Sequence, residues 1–147
     1  MTDYTLWHGD CLDTMSAITT QSIDAIIHDP PYGTTQCAWD IALDLDRLWL
    51  QFKRVIKPTG VILMFAAQPF TSRLISSQPE LYRYVWYWQK EKGTNFFRSA
   101  YQPLRVIEEI VVFATGTTYT YHPQMVPLAK PYTHTMPLNH SAITGSG

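Results

Sequence analysis

The chain has 147 residues, of which 46% are hydrophobic and 16% are charged, and its net charge is −1. These values predict one folded domain with a real core, and they exclude an intrinsically disordered or uniformly basic chain. The N-terminus lacks the features of a signal peptide, and the longest apolar run, residues 61–67, is too short to cross a bilayer. We therefore expect a cytoplasmic protein without a membrane anchor.

The charges are unevenly distributed along the chain. Residues 1–46 carry eight acids and no Lys or Arg, whereas the remainder carries eleven bases and four acids. Five of the bases lie in a segment whose one acid is Glu91: Arg83, Lys90, Lys92, Arg98 and Arg105. This asymmetry indicates a nucleic-acid-binding face, and a solvated loop without a partner is the alternative.

The N-terminal part predicts a strand, a helix and a second strand. Residues 4–7 predict a short strand, and apolar side chains at helical spacing predict a helix over residues 11–18. Residues 22–28 are mostly apolar and β-branched, and Pro30 and Pro31 follow them. This pattern predicts a buried strand of a parallel sheet.

The central part continues the alternation of helix and strand. After a loop over residues 33–42, apolar spacing predicts an amphipathic helix over residues 45–56, which the Pro-Thr-Gly of residues 58–60 ends. A buried strand is predicted at residues 61–65 and a short helix at residues 69–76.

The last predicted elements are strands at residues 81–88 and 106–113, separated by a polar, basic loop over residues 90–105. Because strands and helices alternate, the sequence predicts an α/β sheet with helices packed on both faces. Residues 115–147 are rich in Thr, Pro, Tyr and His and lack periodicity. We interpret residues 1–114 as the folded domain and residues 115–147 as a linker or the start of another region.

The tetrapeptide Asp29-Pro30-Pro31-Tyr32 directly follows a predicted strand, and open parallel sheets bind ligands beyond the carboxyl ends of their strands. The Asp29 carboxylate and the Pro30 carbonyl are two acceptors that consecutive prolines hold in place. Such acceptors can bind the hydrogens of an aromatic amino group and localise its nitrogen lone pair. Tyr32 offers a flat face to a base extruded from a duplex. The alternative is a turn that merely ends the strand.

In these motifs and their order, the chain resembles the N-terminal portion of DNA adenine-N6 and cytosine-N4 methyltransferases of the permuted, beta type. In that type the catalytic motif precedes the cofactor motif. The resemblance spans about residues 4–114, and its matching segments are 8–12, 22–27, 29–32, 56–60, 88–90, Asn95 and 109–113. It implies a Rossmann-like methyltransferase sheet, S-adenosylmethionine as cofactor and double-stranded DNA as substrate.

The resemblance also implies roles for individual residues. The target amino group would be held by Asp29 and Pro30, and the base would stack on Tyr32. An Asp at the first position of the motif favours adenine N6, with cytosine N4 as the alternative, in an enzyme of the restriction-modification kind. The implied residues are Asp29, Pro30, Pro31 and Tyr32 for catalysis, and Asp10 and Cys11, at the end of the first strand, with Asp29 for the cofactor.

The sequence departs from the family downstream. The Asp-Pro-Phe-x-Gly-x-Gly cofactor loop and the His-Pro-x-x-Lys-Pro segment before it have no counterpart, and we interpret Gly145-Ser146-Gly147 as a tail. We therefore expect an incomplete sheet that lacks the cofactor-loop half, and weak or absent catalysis by this chain alone. A second chain or a missing C-terminal segment would complete the cofactor site, and a homodimer is a further possibility.

The sequence predicts simpler roles for other polar and aromatic residues. His28 is interpreted as filling the end of its strand and not as a general base, and Trp86 and Trp88 as core residues and not as base platforms. The spacing of the five histidines predicts no metal site. Three bases are candidates for contacts with DNA phosphates, or else are solvated: Lys90, Lys92 and Arg98.

The sequence is compatible with two rival functions. A methyltransferase acting on RNA or on a protein glutamine uses a similar Pro-Pro-Tyr loop, but such enzymes usually place it after the cofactor loop, whereas here it begins at Asp29. A catalytically inactive DNA-binding or partner-binding remnant is the non-enzymatic rival. Affinity for S-adenosylmethionine distinguishes a competent site from a remnant.

Overall fold

The computed structural model describes residues 3–33, 37–38, 40–41 and 43–127. Short 3-10 turns at Met15–Ala17 and Phe96–Arg98 accompany the regular elements. The helices and strands are, in chain order, α1 (Cys11–Thr14), β1 (Ile23–His28), α2 (Leu45–Val55), β2 (Ile56–Ala66), α3 (Phe70–Ser77), β3 (Tyr82–Thr94) and β4 (Arg105–Ala114).

The four strands form one mixed sheet in the order β1-β2-β4-β3. β1 runs parallel to β2, with Ile27 opposite Leu63, whereas β4 is antiparallel to both β2 and β3. The predicted α/β class is confirmed, and the predicted parallel pairing holds for β1 and β2. The carboxyl ends of β1 and β2 and the connection from β3 to β4 therefore lie at the same end of the sheet.

α2 forms where its sequence provides both a cap and an apolar face. The Asp44 carboxylate accepts a hydrogen bond from the Arg47 backbone N–H at 3.1 Å, which satisfies a donor that the first helical turn leaves unpaired. Lys53 and Arg54 lie in the last turn, where cations complement the helix dipole. The buried face consists of Leu45, Leu48, Trp49, Phe52 and Val55.

One face of the sheet carries the core. Alternate residues of the central strands point into it and pack against buried side chains of α2, α3 and the 3-10 turn after α1. Because all helices in the described part contribute to this single cluster, the prediction of helices on both faces is wrong for that part. The strand residues in the cluster are Ile56, Ile62, Met64, Ala66, Val111 and Phe113.

The opposite face is only partly covered. Ile27 is 72% exposed, so β1 is not the buried strand that its composition predicted. Trp86 and Trp88 are 46% and 49% exposed. The Trp88 ring meets Phe65 edge-on at 6.0 Å between centroids, which is packing across the sheet surface and not within the core.

One predicted strand is absent, and two strand boundaries differ from the prediction by several residues. Residues 4–7 form no strand, and Tyr4 is 82% exposed, because no neighbouring strand pairs with them in the described part of the chain. β2 starts at Ile56 and includes Pro58. Residues 57–60 bulge out of the hydrogen-bonded ladder with β1, and proline is tolerated there because it has no backbone N–H to donate. β3 continues to Thr94, into the predicted loop.

Residues 115–127 contain no helix or strand. The rest of the predicted linker, with the Gly-Ser-Gly tail, lies outside the described residues, so the division into two segments stays a prediction. None of the helices described here is long and apolar enough to cross a membrane.

Two leucines of α2 provide a matched test of the core. We expect Leu48→Ala to lower the free energy of unfolding by about 2–5 kcal/mol, because Leu48 is 0% exposed and its truncation leaves a cavity. Leu50→Ala, in the same helix at 69% exposure, should change it by less than about 0.5 kcal/mol. Urea titrations of both variants measure the difference, and equal losses would contradict this packing.

Candidate functional site

The tetrapeptide lies directly beyond the last residue of β1. Asp29 is exposed, Pro30 is buried, and Tyr32 is half-buried. Gly33 follows with φ +66°, a left-handed conformation that favours glycine. Its backbone N–H donates to Oδ1 of the buried Asp40 at 2.6 Å, which ties the far end of the loop to the protein.

Tyr32 connects the loop to α3. Its ring stacks on Phe70 with 5.3 Å between centroids and 14° between planes, so Phe70 covers one face of the phenol ring. The hydroxyl donates to Asp29 Oδ1 at 3.3 Å. Phe70 therefore packs against the ring whose hydroxyl bonds the Asp29 carboxylate.

The surroundings of Tyr32 keep its phenol protonated. Burial raises the pKa of Tyr32 well above its usual range, and the negative charges of Asp29 and Glu108 raise it further. Because the phenol does not ionise near neutral pH, it remains a hydrogen-bond donor to Asp29. Glu108 itself forms an ion pair with Lys90.

A cleft of about 220 Å³ lies where β2 ends and β4 begins. Glu109 lines it and accepts a hydrogen bond from the hydroxyl of Thr71, which is 2% exposed. Two further polar residues of this cleft are Gln68 and Arg105.

Sequence reasoning assigned no role to Phe70, Thr71 or Glu108. Their contacts join segments far apart in the chain, such as Thr71 with Glu109, 38 residues away. A local pattern carries no information about such pairs. The predicted strand at residues 106–113 is apolar except for the adjacent Glu108 and Glu109. This pair of acids is the local signal that could have marked Glu108 as a candidate site residue.

Asp10 and Cys11 stand in a different context from the one the resemblance implied. No strand precedes them within the described residues 3–9. Asp10 caps α1, and its Oδ1 accepts a hydrogen bond from the Leu12 backbone N–H at 2.8 Å. Cys11 is the first residue of α1, and partial burial followed by the charge of Asp10 raises the pKa of its thiol. The expectation that they end a strand is wrong, whereas their contact with a cofactor stays a prediction.

His28 packs into the end of β1. Its ring meets Phe52 edge-on at 5.6 Å between centroids, and its buried Nδ1 makes no hydrogen bond within the described residues. Burial lowers the pKa of His28 below 6.5, although the neighbouring Asp29 charge acts in the opposite direction. This geometry agrees with a packing role.

The three basic side chains predicted to contact phosphates differ in their surroundings. Lys90 is engaged by Glu108, whereas Lys92 and Arg98 are exposed and form no ion pair with any described residue. No group of three or more His, Cys, Asp or Glu in the described part could hold a metal ion.

The sheet and its helical layer have the fold of S-adenosylmethionine-dependent methyltransferases, present in part. No family model matches the sequence. The chain resembles solved structures, and each of the three described next is 20% identical to it or less. Such likeness shows the fold, and it confirms the predicted incomplete methyltransferase sheet.

Three solved structures illustrate the likeness. M1.HpyAVI, in complex with SAM, matches with a TM-score of 0.59 and 16% identity over 83% of this chain and 62% of its own. TTHA0409 of Thermus thermophilus, provisionally assigned as a DNA modification methylase, gives 0.56 and 20% over 79% and 54%. The cytosine-N4-specific PvuII DNA methyltransferase gives 0.55 and 13% over 76% and 49%. The chain thus spans about half to three fifths of their lengths.

The environment of His28 predicts a pH dependence of stability. Since the folded state disfavours the imidazolium, the unfolded chain binds the proton more tightly, and stability should fall as pH drops below 6.5. We expect wild type to lose more stability than His28→Gln between about pH 7.5 and about pH 5.5. Urea titrations at both pH values, with NMR titration of the imidazole, measure this; a midpoint at or above 6.5 would contradict it.

Proposed function

We propose that this chain is part of a DNA methyltransferase that transfers a methyl group from S-adenosylmethionine to the exocyclic amino group of an extruded base. The observation that carries the proposal is the exposed Asp29 carboxylate at the carboxyl end of a parallel strand, hydrogen-bonded to Tyr32. The stack of Tyr32 on Phe70 holds this arrangement rigid. Double-stranded DNA is the proposed partner.

The residues of the loop act on the acceptor amino group. One N–H of that group donates to the Asp29 carboxylate and the other to the Pro30 carbonyl, so that the nitrogen becomes more tetrahedral and its lone pair is available for attack. The acceptors are positioned before the base arrives, so little rearrangement accompanies the reaction. As the new N–C bond forms, the bond between the methyl carbon and the sulfonium sulfur of the donor would break and S-adenosylhomocysteine would leave. The excess proton then passes from the amino group to Asp29 or to solvent.

S-adenosylmethionine is the proposed donor, and it supplies an electrophilic methyl group. Both M1.HpyAVI and TTHA0409 have been solved with this molecule. The exposed carboxylates of Asp10 and Asp29 fit part of such a donor, because they can accept hydrogen bonds from its ammonium group and ribose hydroxyls. A second chain or a further segment would supply the glycine-rich loop that this sequence lacks, and we expect weak catalysis by this chain alone.

Adenine N6 is the proposed target atom, on the basis of Asp at the first position of the motif. Cytosine N4 is the second candidate, since the PvuII enzyme with the same fold is cytosine-N4-specific. Mass spectrometry of nucleosides from DNA treated with the chain separates N6-methyladenine from N4-methylcytosine.

Replacement of Asp29 tests the proposal directly. We expect Asp29→Ala to lower the rate of methyl transfer by about 10²–10³-fold, because one preorganised acceptor is lost. Single-turnover transfer of label from tritiated donor, with protein in excess over duplex DNA, measures the rate. Asp46→Ala, which removes an exposed carboxylate in the first turn of α2, is the matched control and should react as wild type does.

Tyr32 variants test the platform separately. Tyr32→Phe retains a flat ring and should keep most of the affinity for DNA with an unpaired adenine, whereas Tyr32→Ala should lose about 5–150-fold, as expected for one base stack. Equal affinities would exclude the stacking role. A wild-type chain that binds no donor in calorimetry would be a remnant, not an enzyme.

A further inference from the structure

The hairpin of β3 and β4 extends well beyond the rest of the sheet. Ala66, the last residue of β2, lies opposite Glu109, whereas β4 begins four residues earlier, at Arg105. At about 3.3 Å per residue, the paired strands project roughly 13 Å past β2 before the connection begins. We refer to residues 88–108 as the arm.

The tip of the arm exposes three large aromatic side chains within six residues. Phe96 is 62% exposed, Tyr101 is 90% exposed and Phe97 is 101% exposed. Single exposed aromatic residues are ordinary, but a cluster of them is typical of a contact surface. No described residue buries these rings, so their contribution to folding is small.

Hydrogen bonds within the tip hold its backbone in one conformation. Asn95 adopts a left-handed conformation with φ +77° and begins the 3-10 turn. The Arg98 carbonyl then accepts the backbone N–H groups of Tyr101 at 2.9 Å and Gln102 at 3.0 Å. The aromatic side chains are therefore presented from an organised turn.

The arm is also positively charged. The charges of Lys90 and Glu108 cancel in their ion pair, which leaves Glu91 as the one acid beside three exposed bases. None of these three bases makes an ion pair with a described residue: Lys92, Arg98 and Arg105. Exposed aromatic rings between unpaired cations complement nucleic acid, whose phosphates attract the cations and whose bases stack on the rings.

We propose that the arm is a nucleic-acid contact beside the candidate site. Phe97 and Tyr101 stack on unpaired or unstacked nucleobases, and the phosphates are bound by the side chains of Lys92, Arg98 and Arg105. The inference rests on the proposed function in that DNA is the substrate. The topology supports it, because the arm projects from the same end of the sheet at which Asp29 lies. A DNA strand bound by the arm would thus pass beside the nucleobase that contacts Asp29 and Tyr32.

Anisotropy of fluorescein-labelled duplex DNA with one unpaired adenine tests the aromatic contact. Phe97→Ala should weaken binding about 5–150-fold, the range for one lost base stack, and Phe97→Trp should restore it. Leu50→Ala, which truncates an exposed apolar side chain in α2, is the control and should bind as wild type does.

The charges are tested by the salt dependence of the same binding. Arg98→Ala should reduce the slope of log affinity against log salt by about one, as expected for one lost phosphate contact, whereas Arg47→Ala in α2 should leave the slope unchanged.

Several outcomes would overturn the inference. They are equal losses in Phe97→Ala and Leu50→Ala, no DNA binding by the wild-type chain, or Phe97-dependent binding to phosphatidylserine vesicles without DNA binding. Asp29→Ala tests methyl transfer and Phe97→Ala tests DNA binding, so the two proposals fail separately. DNA binding that depends on Phe97, with no donor binding by wild type, would leave the arm supported and reject the enzyme.

Discussion

The buried indole of Trp49 holds the helical layer to the sheet. It is 1% exposed, its ring meets Phe113 of β4 at 4.9 Å between centroids, and its Nε1–H donates to Ser77 Oγ at 2.8 Å. The large ring is thus buried without loss of a hydrogen bond. Because Ser77 ends α3 and Phe70 begins it, this contact also fixes where Phe70 lies beneath Tyr32. The candidate site therefore depends on a packing contact at the other end of α3.

The sequence predicted the elements whose signal is local. The apolar face of α2 and the apolar runs of β1 and β4 were each found within a few residues of their observed bounds. The arm was missed, because its polar residues resemble a loop and β3 is held there by one neighbouring strand, β4. Residues 4–7 show the reverse error, since an apolar pattern without a partner strand does not make a strand.

The site was predictable only as far as it is contiguous. Four adjacent residues after a strand carried enough information to predict the position of Asp29 and Tyr32 beyond its end. The parts that support them were not predictable, because Phe70 and Glu108 reach Tyr32 through the fold and not along the chain. Roles implied by resemblance were also sensitive to context: Asp10 caps a helix where a strand end was expected.

The position of β1 at the margin of the four-stranded sheet has a consequence for solubility. Within the described residues one side of the strand pairs with β2, so the other side presents backbone amide and carbonyl groups to which another strand could add. The exposed carboxylate of Asp24 lies on this strand, and a charge on an edge strand disfavours the addition of a second strand.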